Sequence, residues 1–152
     1  MGMESFFVKV YMQKKETENG NFINVSDIDW FSALSKFHNV EKYKDYIIID
    51  NCIDFSVDRN DKEEYIVLIG CFSCYTYAVN TMKKIINSII NITNTDIKVF
   101  IYNKVIPYNE ELLETSIYEG YSQKYEWFEK HMGIEKIVSP SKFYKRSRFL
   151  WW

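Results

Sequence analysis

Cys71-Phe72-Ser73-Cys74 is the sharpest local motif in the chain, because two thiols at this spacing at a helix start can do chemistry. The apolar run before them reads as a strand and the pattern after them as a helix. Helix-start amide dipoles and free N–H groups stabilise a thiolate and lower its pKa, which makes it a nucleophile. A zinc centre would have to add Cys52 and either His38 or His131. A lone Cys-x-x-Cys supplies half of a tetrahedron, and the second half lacks the usual close spacing, so no metal or other cofactor is expected. Asp50, Asp54 and Asp58 recur every four residues on a segment that reads as a strand. Successive carboxylates there stand about 13 Å apart, at ~3.3 Å per residue, too far to share one ion. They read as a solvated acidic sheet face. Neither histidine has a Ser or Cys nucleophile at a recognisable motif spacing. With five glycines in the chain, phosphate-cradling loops are hard to build, and no P-loop or dinucleotide fingerprint is present.

From Val67 to Ala78 the chain resembles the active-site loop of the thioredoxin and glutaredoxin families. That resemblance implies thiol–disulfide redox chemistry at Cys71 and Cys74 as an alternative function. Outside those dozen residues the pattern departs. The families have a Pro opening a strand that faces the dithiol, followed by a hairpin and a helix. Here Ile106-Pro107 closes a strand and a helix follows directly. The Trp or Pro usual beside the cysteines is also absent. Two small residues buried near a strand end are the plainer reading.

The elements that would position these residues follow from periodicity. Phe6 to Met12 reads as a first strand, followed by a turn around Asn19-Gly20. Ser26 reads as an N-cap, with Ile28, Phe31, Leu34 and Phe37 at helical spacing behind it. Tyr46 to Val57 alternates at period two, with Ile47, Ile49, Ile53, Phe55 and Val57 on one side. Glu64 to Phe72 reads as a central strand, in hairpin with the one before. Cys74 to Ile92 carries the helical stripe Ala78, Met82, Ile85, Ile89 and Ile92. Asp96 to Ile106 reads as a fourth strand, ended by Pro107. Asn109, Glu110 and Glu111 open a last helix to about Met132, with Leu113, Ile117, Tyr121, Tyr125, Phe128 and Met132 on one face and Gly133 as its cap. The expected fold is α+β: a ferredoxin-like βαββαβ antiparallel sheet with an additional C-terminal helix. The first two helices would lie on one sheet face, leaving the other open or covered by the last helix.

Composition bounds the function. A chain of 152 residues is the size of one domain, taken as 1–135 followed by a tail, 136–152. Aromatic residues make up 18% of the chain, more than one core of this size can hide, and surface rings are what binding faces are commonly made of. Net charge is −2, but five bases and no acid follow Glu135, so residues 1–135 carry −7. The tail is expected to pack on the domain or on a partner, with Trp151 and Trp152 pinned out of water and self-association as one outcome. Three cysteines, no secretory signal in Met1-Gly2-Met3-Glu4-Ser5 and no run of ~20 apolar residues point to a cytoplasmic protein without a transmembrane segment.

Together these features predict a non-catalytic binding protein. Its expected partner is a protein such as a basic toxin or nuclease, in the manner of an immunity protein or a phage-type inhibitor. The binding residues named by this reading are Asp50, Asp54, Asp58, Tyr11, Tyr102, Trp151 and Trp152. A further alternative is RNA binding on the sheet, with Tyr11, Phe100 and Tyr102 beside Lys9, Lys98 and Lys104. The aspartates would repel phosphate, and no sequence like the RNA-recognition-motif consensus is present.

Overall fold

The computed structural model describes residues 5–12, 25–37, 39–71, 75–101 and 104–132, apart from the side chains of residues 71, 75, 121, 124, 125, 127–129, 131 and 132. Alternation builds the strands. In β1 (Ser5–Met12), Phe6, Val8 and Val10 are buried while Phe7, Lys9 and Tyr11 point the other way. β2 (Val40–Lys42), β3 (Ile47–Ile49), β4 (Ile53–Arg59), β5 (Glu64–Cys71), β6 (Ile97–Ile101) and β7 (Lys104–Pro107) join it in one sheet, ordered β2-β3-β4-β5-β1-β6-β7. All six pairings among the described residues are antiparallel.

The chain is an α+β protein with an open antiparallel sheet, but among the described residues the sheet has seven strands where a ferredoxin-like domain would have four. Two of the three extra strands come from folding back what the sequence presents as single strands. The Tyr46–Val57 segment breaks at Asp50 and Asn51, whose φ values of 52° and 56° reverse the chain into the β3–β4 hairpin. Asp96–Ile106 likewise splits into β6 and β7. β2, three residues long, pairs with β3 and was not foreseen.

The first helix is also shorter than expected. Val25–Asp27 is a 3₁₀ turn and α1 is the single turn Trp30–Ala33. Ser26 does not cap it. Its N–H and hydroxyl both donate to the Glu64 carboxylate, at 2.9 and 2.8 Å, tying the turn to the start of β5. Asp29 caps α1 instead, accepting from Ser32. Trp30 makes the segment worth ordering: its indole N–H donates to the Val25 carbonyl at 3.0 Å and its ring packs 5.3 Å from that of Phe55.

α2 (Tyr75–Thr93) and α3 (Glu110–Met132) run as the sequence indicates. Met82, Ile85, Ile86 and Ile89 of α2 are fully buried, each contributing about 1.5–3 kcal/mol. Ile92, placed on that stripe by spacing, is exposed, and Val79 and Ile86 widen the buried face instead. α2 ends where Asn94 takes a left-handed φ of 49° and donates its N–H to the Ile90 carbonyl at 2.7 Å. Asn109 caps α3, its side-chain oxygen accepting from the N–H groups of Glu111 and Leu112. Leu113 and Ile117 of α3 join the same core as Ile85 and Ile89, and Lys83 bridges to Glu114 at 2.8 Å. Both long helices therefore cover one face of the sheet. The expected α3 stripe beyond Ile117, the Gly133 cap and the tail 136–152 lie outside the described side chains and residues. Among the described residues, no helix is long and apolar enough to cross a membrane.

Candidate functional site

The sheet face turned away from α2 and α3 gathers side chains far apart in sequence. Register places them in three rows. One runs Asp58, Tyr65, Tyr11, Lys98, Pro107. The next runs Ser56, Val67, Lys9, Phe100, Val105. The third runs Glu41, Ile48, Asp54, Ile69, Phe7.

Lys9 stands in the middle, its ammonium 5.3 Å from the ring centroid of Tyr65 and 5.5 Å from that of Phe100. The two ring faces attract the ammonium and hold it between them, and its charge stays on this face. Tyr11 and Tyr65 pack at 5.2 Å, and the Tyr65 hydroxyl donates to Asp58 at 3.4 Å. Burial raises the pKa of both tyrosines, helped by Glu63 at Tyr11 and Asp58 at Tyr65, so both are neutral donors at physiological pH. Phe7 is 41% exposed, unusual for a phenylalanine in a central strand. Where this face meets the end of the sheet lies a cavity of about 880 Å³, lined by Tyr11, Lys98, Phe100 and Pro107 with Met12 and Tyr108 behind them. Burial pushes the Tyr108 phenol up to about 12.

The acids divide. Asp54 and Asp58 project from β4 onto this face, whereas Asp50 sits in the β3–β4 turn. Asp50 has a structural job: its carboxylate accepts the Asn39 N–H at 3.0 Å, and its own N–H donates to the Asn39 carbonyl at 2.7 Å. The expectation of three aspartates along one strand face is thus corrected, because the strand turns back at the first of them. Desolvation raises the Asp54 pKa; its cross-strand neighbours are Ile48 and Ile69.

Tyr11, Lys9, Lys98 and Phe100 come together as the sheet-binding alternative requires. Lys104 does not: it pairs across from buried Ile101 and reaches Glu119 of α3 at 3.8 Å. Tyr102, Cys74, Trp151, Trp152 and His38 lie outside the described residues, as do the side chains of Cys71 and His131. β5 ends on Cys71 and α2 begins at Tyr75. Cys52 is half-buried, its Sγ 3.6 Å from the Ile49 carbonyl. Among the described residues, no group of three or more His, Cys, Asp or Glu could hold a metal ion.

Sequence reasoning missed Phe7, Val67 and Ile69, exposed or half-buried, and the buried Tyr65 beside them as residues of this face. The signal was present: β5 is apolar at odd and even positions alike, so its alternation puts apolar side chains on both faces of the sheet. Comparison with protein-family models, with curated proteins and with solved structures finds no match in any of the three.

Proposed function

We propose that the chain is a non-catalytic binding protein that engages a basic protein through its open sheet face. The observation that carries this reading is the aromatic and aliphatic centre formed by Phe7, Tyr11, Tyr65, Val67, Ile69 and Phe100, with Asp54 and Asp58 along its β4 side. Aromatic and aliphatic side chains gathered around Lys9, with carboxylates along one side, give this face the mixed make-up of a protein interface. The −7 of residues 1–135 favours encounter with a basic surface, as a nuclease cleft presents. On this reading β4-β5-β1-β6 form a ferredoxin-like core widened by the β2–β3 hairpin at one edge and by β7 at the other, and the protein acts as an inhibitor or immunity protein in the cytoplasm.

Photocrosslinking from p-benzoylphenylalanine at Phe7 locates the partner, which is then purified and titrated. The double variant Phe7→Asp, Phe100→Asp should weaken binding by about tenfold or more, as loss of central anchors does. Asp54→Asn with Asp58→Asn should slow association and flatten its salt dependence. Unchanged binding by both variants, or crosslinks to RNA alone, would overturn the reading.

Thiol–disulfide chemistry at Cys71 and Cys74 is a second reading, favoured by the placement of Cys71 at the end of β5 with α2 starting at Tyr75. A Cys71 thiolate titrating near neutrality and reversible bridging to Cys74 would support it. Two thiols titrating at ordinary values would end it.

A further inference from the structure

The turn between β2 and β3 carries an aromatic group that the open-face reading does not use. The Tyr43 N–H donates to the Tyr46 carbonyl at 2.9 Å, closing the turn. This sets the two rings 4.9 Å apart and nearly parallel, at 9°, with the residues 43% and 41% exposed. Phe31 of α1, 37% exposed, stands nearby with the Lys42 ammonium 5.9 Å from its ring centroid. These residues line a shallow cavity of about 510 Å³ together with Asp27, Asp29, Asp45 and Lys44. Glu41 adds a fourth carboxylate beside them, accepting the Tyr43 hydroxyl at 2.8 Å.

Three residues with rings 37–43% exposed at one corner of a small domain keep apolar surface that a partner could cover. Ring faces carry negative potential, and four carboxylates outnumber Lys42 and Lys44. Phosphate is repelled by that excess. A guanidinium suits it, because it is planar, stacks on tyrosine and donates in a fork to carboxylate. Hydrogen bonds from Ser32 lower the Asp29 pKa and so favour its charged form. We propose that the β2–β3 turn and Phe31 form a docking site for an arginine side chain on a basic segment of a protein partner. The site lies roughly 19 Å across the sheet from the Phe100 strand, at four strand spacings of about 4.8 Å, and stands independently of the open-face reading.

Fluorescein-labelled octa-arginine, octa-lysine and a thymidine oligonucleotide, each titrated into the full chain by anisotropy, test the assignment. Octa-arginine should bind at least about threefold tighter than octa-lysine, the difference that exposed ring stacking supports. Tyr43→Ala with Tyr46→Ala should abolish that preference, whereas Tyr43→Phe with Tyr46→Phe should keep it. Asp45→Asn, which leaves the rings in place, should weaken octa-arginine more than octa-lysine, since only the guanidinium loses a forked pair as well as a charge. Circular dichroism checks that each variant is folded. Equal binding of the two peptides, or an alanine variant that binds octa-arginine as the wild type does, would overturn the proposal in favour of general attraction to an acidic protein. Oligonucleotide binding that depends on both tyrosines would overturn it in favour of nucleic acid. A peptide of residues 140–152 that outcompetes octa-arginine would assign the site to this chain's own C-terminal segment rather than to a partner.

Discussion

The ring of Phe6 lies over Gly70 so closely that a Cβ there would stand 2.6 Å from Cζ of Phe6. The two are cross-strand partners on the helix-covered face, and Phe6 is buried, so neither backbone nor ring can retreat easily.

Gly70→Ala should therefore destabilise the protein by about 1–3 kcal/mol, the usual effect of overpacking, despite the smaller entropy that alanine has to lose. Phe6→Leu in the Gly70→Ala background should remove part of the clash. A double-mutant cycle by urea denaturation measures the coupling, and additive effects would show that the contact is not tight.

Asp50 and Asn51 both sit at left-handed φ, but only Asp50 is tied down by its side chain. Asn51→Gly should be neutral or stabilising by up to ~1 kcal/mol, since glycine adopts this conformation without strain. Asp50→Ala should destabilise by about 1–3 kcal/mol, because it leaves the Asn39 N–H without its acceptor. Thermal melts of the two variants should move in opposite directions or leave Asn51→Gly unmoved.

Glu64 accepts both donors of Ser26, and its pKa is lowered from the ordinary 4.5 by the Ser26 N–H and then the hydroxyl. A depressed carboxylate pKa stabilises the fold above the unfolded value and loses that contribution as pH falls through the folded one. Wild type should exceed Glu64→Gln in stability at pH 7. The gap should narrow below about pH 4.5 and close in stronger acid, read by urea melts across that range.

Asp54 should show the reverse sign. Its pKa is raised from 3.8 by desolvation, so folding favours its protonated form. That contribution is present below the unfolded pKa and is lost as pH rises through the folded value. Asp54→Asn should gain modestly on wild type as pH climbs from about 4 toward 7, with little difference in acid. The carboxylate is thus kept beside Ile48 and Ile69 at the expense of stability near neutral pH.

Local pattern alone determines the α+β character of this protein, the spans of α2 and α3, and the paths of β1 and β5. Each depends on side-chain periods of 3.6 or 2.0 or on caps such as Asn109, all of which act within a few residues. The β3–β4 hairpin is invisible to that pattern for a definite reason. Ile49 and Ile53 stand opposite each other across the turn and share a face, and their even separation is also what one continuous strand would show. Helical spacing from Ile28 to Phe37 was equally ambiguous. There the contacts of Trp30 with Val25 and Phe55, and of Ser26 with Glu64, hold the chain in short turns. β2 is a strand because β3 lies beside it; nothing in Val40–Lys42 itself demands one. The candidate faces belong wholly to tertiary structure. Lys9, Tyr65 and Phe100 meet because antiparallel register brings three distant segments side by side, a relation that no local period encodes.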